Sequence, residues 1–374
     1  MMLALLVGLV LLVLVLPLLP ALCEWRRPRD VVPLKIDETD ALDPLYLAHS
    51  FAVLLAEAVK VGATYLGGSD IAHVTRGANG VPLLATEVAA KRTDRLWHIQ
   101  GDIHLPENIG FYAEVSASAG LHTAAHNVYR ALWAGGLATL APFSTVLRWV
   151  HGRAVHVGAG CHLAGRVTAQ DTLTIEPGVF FMLLHASRID FVAQHERCRA
   201  HPPVTNLSYV AITDWPDGAV WNPQVRRAFA RSALQVGDHY AWHGDIVCLA
   251  DLGLGRYCKA DGSLKARGSL HVGIGCHISG SVVANGSVYL AANCEVLGSV
   301  LSETAIVVGP GCTIGAPGNP ATITAPYIDM APGATVYGTV WAEEKGWTTE
   351  LASRTSTVLN GLSLGIVPAC GLVV

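Results

Sequence analysis

The sequence predicts a mostly β chain, a single-chain parallel β-helix of three faces with about 18 residues per coil, behind an N-terminal transmembrane helix. Three observations carry that expectation. An apolar residue recurs every six positions over residues 246–317, residue types within that beat repeat every eighteen, and residues 1–22 carry no charge.

The beat is complete where it is strongest. Ile246, Leu252, Cys258, Leu264, Leu270, Cys276, Val282, Val288, Cys294, Val300, Ile306 and Cys312 are all apolar. A second column follows two residues behind most of them: Leu254, Val272, Ile278, Leu290, Val296, Val308 and Ile314. A helix would show a period of 3.6 and an ordinary strand a bare period of two. Short strands with a corner every six residues give a solenoid. Cysteines 258, 276, 294 and 312 lie eighteen apart, as do Ile246, Leu264, Val282 and Val300, and Leu252, Leu270, Val288 and Ile306. Three faces of six residues would stack like on like, one thiol ladder beside two aliphatic ladders. At a strand spacing of about 4.8 Å, four such coils extend on the order of 19 Å. Each coil buries its face only against the next, so the array folds as a block. Val288→Asp should collapse it by burying an unpaired charge.

Composition sets the outer bounds. The chain has 374 residues, 51% of them apolar and 14% charged, with a net charge of −4. That balance, with no Lys/Arg stripe beyond the first thirty residues, excludes a nucleic-acid partner from the expected list. The 38 glycines suit a fold with many tight corners.

Residues 1–22 would span about 33 Å as a helix, enough for a bilayer. A cleaved signal peptide fits less well, because there is no basic n-region and no small-x-small site before Cys23. Arg26, Arg27 and Arg29 follow directly, so the positive-inside rule places the rest of the chain in the cytoplasm, anchored once in the inner membrane. In that reducing compartment the interior cysteines act as small hydrophobes. Stacked Cα atoms about 4.8 Å apart would also suit a disulfide, so the thiol reading depends on the orientation.

Asp43-Pro44 starts a helix, a cap followed by a first-turn proline. Leu47, Phe51, Leu54, Ala58 and Val61 recur at helical spacing, and Gly62 stops it. The plainest role for that face is packing on the solenoid or the membrane; a docking helix for a partner is the other. Residues 66–95 give no clear signal. The beat resumes with Trp97, Ile103, Ile109, Val115 and Leu121, and blurs over 122–145. It returns as Trp149, Val155, Cys161, Val167, Leu173 and Val179, followed by Val157, Leu163, Ala169, Ile175 and Phe181. The text around His156 repeats around His271 at an offset that is not a multiple of six, so the register is reset between them. Residues 187–240, with Pro202-Pro203, Trp215-Pro216, Asn222-Pro223 and an expected short helix from Gln224 to Leu234, are the interruption. The expected organisation is therefore an anchor (1–22), a linker and helical segment (23–96), a first β-helix block (97–185), an insertion (186–240), a second block (241–341) and a C-terminal tail (342–374).

The run from Cys276 to Val300, with its aliphatic-x-aliphatic-x-Gly-Ser-aliphatic units, resembles a bactofilin domain of the polymer-forming bacterial cytoskeletal family. The likeness covers 246–317 well and 149–181 more faintly. It implies a three-sided β-helix that assembles end to end into homo-oligomers or filaments without nucleotide. It also implies a non-enzymatic scaffold at the membrane that organises cell-envelope or surface-polysaccharide machinery. Two blocks, an insertion and a cysteine ladder depart from that family's single compact core. Ile306-Val-Val-Gly-Pro-Gly-Cys-Thr-Ile-Gly also resembles the hexapeptide-repeat acyltransferases, which implies a membrane-bound acyltransferase with a histidine base as the alternative. A third reading is a monomeric scaffold whose insertion, 186–240, recruits an envelope enzyme.

No catalytic, cofactor-binding or metal residues are assigned. His156, His162, His271 and His277 each follow a column residue, which turns them outward. His195, Cys198 and His201, and the pair His239 and His243, are ligand types without a second half at defined spacing. Gly-x-Gly at 158–160 and 273–275 makes corners rather than a phosphate loop, and no Gly-x-Ser-x-Gly is present. The sequons at Asn206 and Asn285 carry no meaning in a bacterial cytoplasm.

Overall fold

The computed structural model describes Leu16 and residues 43–75, 80–192, 208–212, 215–216 and 218–349. The expected transmembrane helix, 1–22, therefore lies outside the described residues apart from Leu16. No helix among the described residues is long and apolar enough to cross a membrane. The described residues from Leu47 on form one compact unit. It is a β-solenoid of about 13 turns at a spacing near 18 residues.

The regular part follows from its side chains. Ile246 pairs in parallel with Leu264, Leu264 with Val282, and Val282 with Val300. Leu252, Leu270, Val288 and Ile306 form the same kind of ladder one face on. Strands such as Val282–Ala284 and Val288–Leu290 are three residues long, because two inward side chains fill one face before the chain turns. Each corner ahead of a ladder cysteine is left-handed: Tyr257 (φ 56°), Gly275 (φ 69°), Asn293 (φ 57°) and Gly311 (φ 70°). A Cβ on Gly275 would lie 2.6 Å from the Tyr257 ring, so glycine there lets the aromatic ring below cover the corner.

The first stack starts earlier than residue 97, with Ser69–Val74 paired in parallel to Leu96–Ile99. Its coils carry irregularities that hide the beat. His122 pairs with Thr139 and Val128 with Thr145, seventeen positions each, one short of eighteen. The strands Thr145–Val157, His162–Ile175 and Phe180–Phe191 run through two faces with bulges between them. One bulge corrects an expected core position. Val150, paired with Val167, points inward, whereas Trp149, paired with Arg166, lies outside the solenoid. Helix α1, Tyr46–Lys60, covers it, with Phe51 and Trp149 ring centroids 5.3 Å apart. Leu55 and Ala58 of α1 pack on Ile71, Leu96 and Ala113 of the outer face. The helix therefore runs lengthwise over several coils. Of the expected face, Phe51 and Ala58 do pack, joined by Ala48 and Leu55, whereas Leu47, Leu54 and Val61 are exposed.

The two stacks have opposite polarity. The last coil of the first, Phe180–Phe191, pairs antiparallel with the last coil of the second, Thr335–Thr348. Leu184 faces Val340 and Ile189 faces Val336, and all four are fully buried, so a single apolar core runs from Val74 to Ala342. The backbone seals the seam: Thr348 N donates to Val179 O (3.0 Å) and Phe191 N to Ala334 O (3.0 Å). A Cβ on Gly346 would collide with the Phe181 ring, so the seam is close-packed. Residues 342–348, expected as tail, are the end of this coil.

Both far ends carry plugs. At the first, Val81 and Leu83 pack against the core, just ahead of helix α2, Ala85–Ala90, which the Arg95–Glu87 ion pair ties down. At the second, Ile212, Trp215 and Trp221 pack against it, with Trp215 and Trp221 stacked at 5.3 Å. The helix expected at 224–234 is instead a hairpin. Asn222 Oδ1 accepts from Gln224 N (3.0 Å), Arg226 takes φ 48°, and Arg227–Ala230 pairs antiparallel with Ala219–Asn222. Local turn chemistry and pairing of Arg227–Ala230 to Asp245–Cys248 override helix propensity here. Most of the expected insertion thus begins the second stack, while residues 193–207 lie outside the described residues.

Candidate functional site

The chemistry-bearing side chains of this solenoid lie in outward columns that its register lines up. One column runs His104, His122, Thr139, His156, Thr174 and Asp190, each paired with the next. It crosses the seam to Thr335 and continues through Thr313 and Glu295 to His277. The His104 and His122 rings stack at 4.6 Å. His156 Nε2 lies 3.1 Å from Glu176 Oε1, and His277 Nδ1 lies 3.0 Å from Glu295 Oε2. Thr335 Oγ1 donates to Asp190 Oδ1 at 2.9 Å, so the column is hydrogen-bonded through the seam.

A second column runs beside helix α1: His73, His98, Ser116, Trp133, His151, Thr168 and His185, then Thr339. His151 is 3% exposed, and its Nδ1 is 2.8 Å from Thr168 Oγ1. That hydroxyl donates its proton to Val150 O (3.3 Å), which assigns the shared proton of the pair to His151 Nδ1. Burial, then the nearby His49 of α1, lowers the His151 pKa to about 4. Burial, then His73, also lowers that of His98, whose buried Nδ1 has no hydrogen-bond partner.

Columns of this kind spread functional groups along a line, one per strand spacing, rather than around a point. Where three reactive types do meet, the order is wrong for nucleophile activation. His243 Nδ1 lies 2.8 Å from Asp261 Oδ2, and Ser279 Oγ donates to Asp261 Oδ1 at 3.0 Å. The hydrogen bond to His243, then that to Ser279, holds Asp261 below the usual carboxylate range. A base must hold the nucleophile itself, and here both groups lean on the same carboxylate.

The thiol column is interior. Cys258, Cys276 and Cys294 each point Sγ at a carbonyl 3.1 Å away, of Gly237, Gly255 and Gly273, and Cys312 at Ala291 O (2.9 Å). All twelve residues of the expected core columns, from Ile246 to Cys312, are at most 1% exposed. Among the described cysteines, Cys161, Cys248, Cys258, Cys276 and Cys294 are free thiols. Burial pushes the Cys161 thiol up to about 11. The neighbouring thiol, and then burial, raises Cys276 and Cys294 well above the ordinary thiol range. Thiols raised in this way, Cys161, Cys276 and Cys294, are poor nucleophiles and poor ligands.

Of the other expected candidates, His162 and His271 point outward, and His271 stacks on Tyr289 at 4.6 Å. His239 stacks on Tyr257 at a corner while His243 is held by Asp261, so the two do not converge. His195, Cys198 and His201 lie outside the described residues. Among the described residues, no group of three or more His, Cys, Asp or Glu is placed to hold a metal ion. The spacing of eighteen between His104 and His122 is the signal in the text that points to the first column. The second column has none, because bulges and short coils scramble its intervals.

These features define a β-solenoid of two opposed stacks with polar outer columns. No family model, curated protein or solved structure matches the chain.

Proposed function

We propose that this protein is a non-enzymatic β-solenoid scaffold, tethered to the inner membrane through residues 1–22, that works as a discrete capped unit. The observation that carries this reading is the closure of the solenoid by its own chain. One pair of coil ends is joined at the antiparallel seam, and the other two are plugged by Val81 and Leu83 and by Trp215 and Trp221. End-to-end growth needs unpaired strand edges, so closure favours the discrete scaffold over the filament that the bactofilin likeness implies. The outer columns supply a regular face on which a cell-envelope partner would read groups at strand spacing.

The test is negative-stain electron microscopy of the purified protein in detergent, without nucleotide. Short uniform particles are the expected result. Long filaments would reinstate end-to-end assembly. Compact trimers would move the reading to an acyltransferase.

A further inference from the structure

Helix α1 carries large apolar side chains on its exposed side as well as on its packed one. Its inner face, Ala48, Phe51, Leu55 and Ala58, is packed on the first stack. Its exposed side carries Val53 (59% exposed) and Leu54 (55%), with Leu47 and Tyr46 exposed as well, and Val61 (77%) directly follows its last residue. Glu57 and Lys60, three residues apart, are its only Asp, Glu, Lys or Arg side chains. A helix that keeps large apolar side chains exposed beside a few polar ones suits a water–lipid interface, and the solenoid covers only one side of this one. Fifteen residues span about 22 Å, too short to cross a bilayer of about 30 Å, so lipid contact would be in plane.

The chain also says which occupant lies within reach. Residues 1–22 carry no charge, Arg26, Arg27 and Arg29 follow, and α1 begins at Tyr46. Twenty-three residues lie between residue 22 and Tyr46, a length that reaches at most about 80 Å. Whatever residues 1–22 are embedded in is therefore held at high effective concentration beside α1. We propose that the outer face of α1, centred on Leu54 and Val61, is a second membrane contact that lies on the bilayer surface and fixes the first stack against it. This rests on the reading of residues 1–22 as an anchor.

The test uses the full chain in vesicles containing anionic lipid, with p-benzoylphenylalanine in place of Leu54 in one sample and of Leu11 in another. Lipid adducts at both positions are the expected result. Lipid at position 11, but an adduct to a second copy or to another segment of the same chain at 54, overturns the membrane face and leaves the anchor intact. Lipid at neither position overturns both. Leu54→Glu with Val61→Glu serves as the companion variant, since neither side chain touches the core. It should retain the fold by circular dichroism, and lipid labelling of α1 by a photoreactive phospholipid should fall about tenfold. Unchanged labelling would also overturn the proposal.

Discussion

From Ile246 to Ile314 the second stack is built from one repeated coil, whereas the first is built from coils that each differ. In the second, eighteen-residue steps carry aliphatic side chains onto aliphatic side chains and thiols onto thiols. The first mixes seventeen-residue steps, bulged two-face strands and large rings such as Trp97, Phe111 and Tyr129 in one core. It also needs an external helix to cover Trp149. Regularity lets like stack on like at every level, while irregularity must be compensated locally, by a helix, a hydrogen bond or a bulge. The same fold is therefore stabilised in one place by repetition and in the other by particular contacts.

The sharpest test of that contrast is a charge in the regular stack. Val288 is fully buried between Leu270 and Ile306. Val288→Asp should cost more than about 4 kcal/mol and unfold the second stack as a block. Far-UV circular dichroism would show the loss, and retained β structure would mean that the column assignment is wrong. Next is a corner device that both stacks share. Gly275 lies against the Tyr257 ring, and Gly160 against the Phe143 ring, each glycine at positive φ. Gly275→Val and Gly160→Val should each lower stability by about 2–3 kcal/mol in denaturant melts. Gly318→Ala, at φ 77° with open space around it, should cost about 1 kcal/mol.

A smaller effect separates the stacks by pH. The folded-state pKa of His151 is lowered to about 4 from an ordinary 6.5. The unfolded chain therefore binds more protons between those values, and stability falls as pH drops through that window. His49 of α1 is the titratable group facing His151. Hydrogen exchange should show α1 losing protection between pH 6.5 and 4 while the strands around Val288 stay protected. Equal loss in both places would refute the particular-contact account. The smallest expected change is chemical. The ladder thiols should stay unmodified by a water-soluble disulfide reagent in the native protein and react only after denaturation. Rapid native labelling of Cys294 would contradict its burial.

How much of this was legible in the text varies with the same contrast. Residues 246–317 could be read directly, because eighteen-residue spacing is also the spacing of neighbours in space. So could α1, through Asp43, whose Oδ1 accepts from Leu45 N at 2.8 Å, and through Phe51 and Ala58 of its packed face, while Leu47, Leu54 and Val61 turn outward. Ile71 and Leu96 are neighbours in the fold but twenty-five positions apart, with α2 between them, so the first coil left no beat. Trp149 was assigned to the core because a bulge shifts the inward position to Val150. The seam was not legible at all. Residues 180–191 and 335–348 meet with reversed polarity, and no periodicity along the chain encodes an antiparallel meeting of two parallel stacks. The polar columns divide likewise: the interval between His104 and His122 was visible, while His151 under a helix was not.

The most direct test of the central claim is a cross-link at the seam. His185 and Thr339 are antiparallel partners on the outer face, where neighbouring Cα atoms lie within disulfide reach. His185→Cys with Thr339→Cys, oxidised under dilute conditions and mapped by mass spectrometry, should give one intramolecular disulfide without loss of β structure. A disulfide formed only between chains, or none at all, would contradict a chain whose two stacks close on each other.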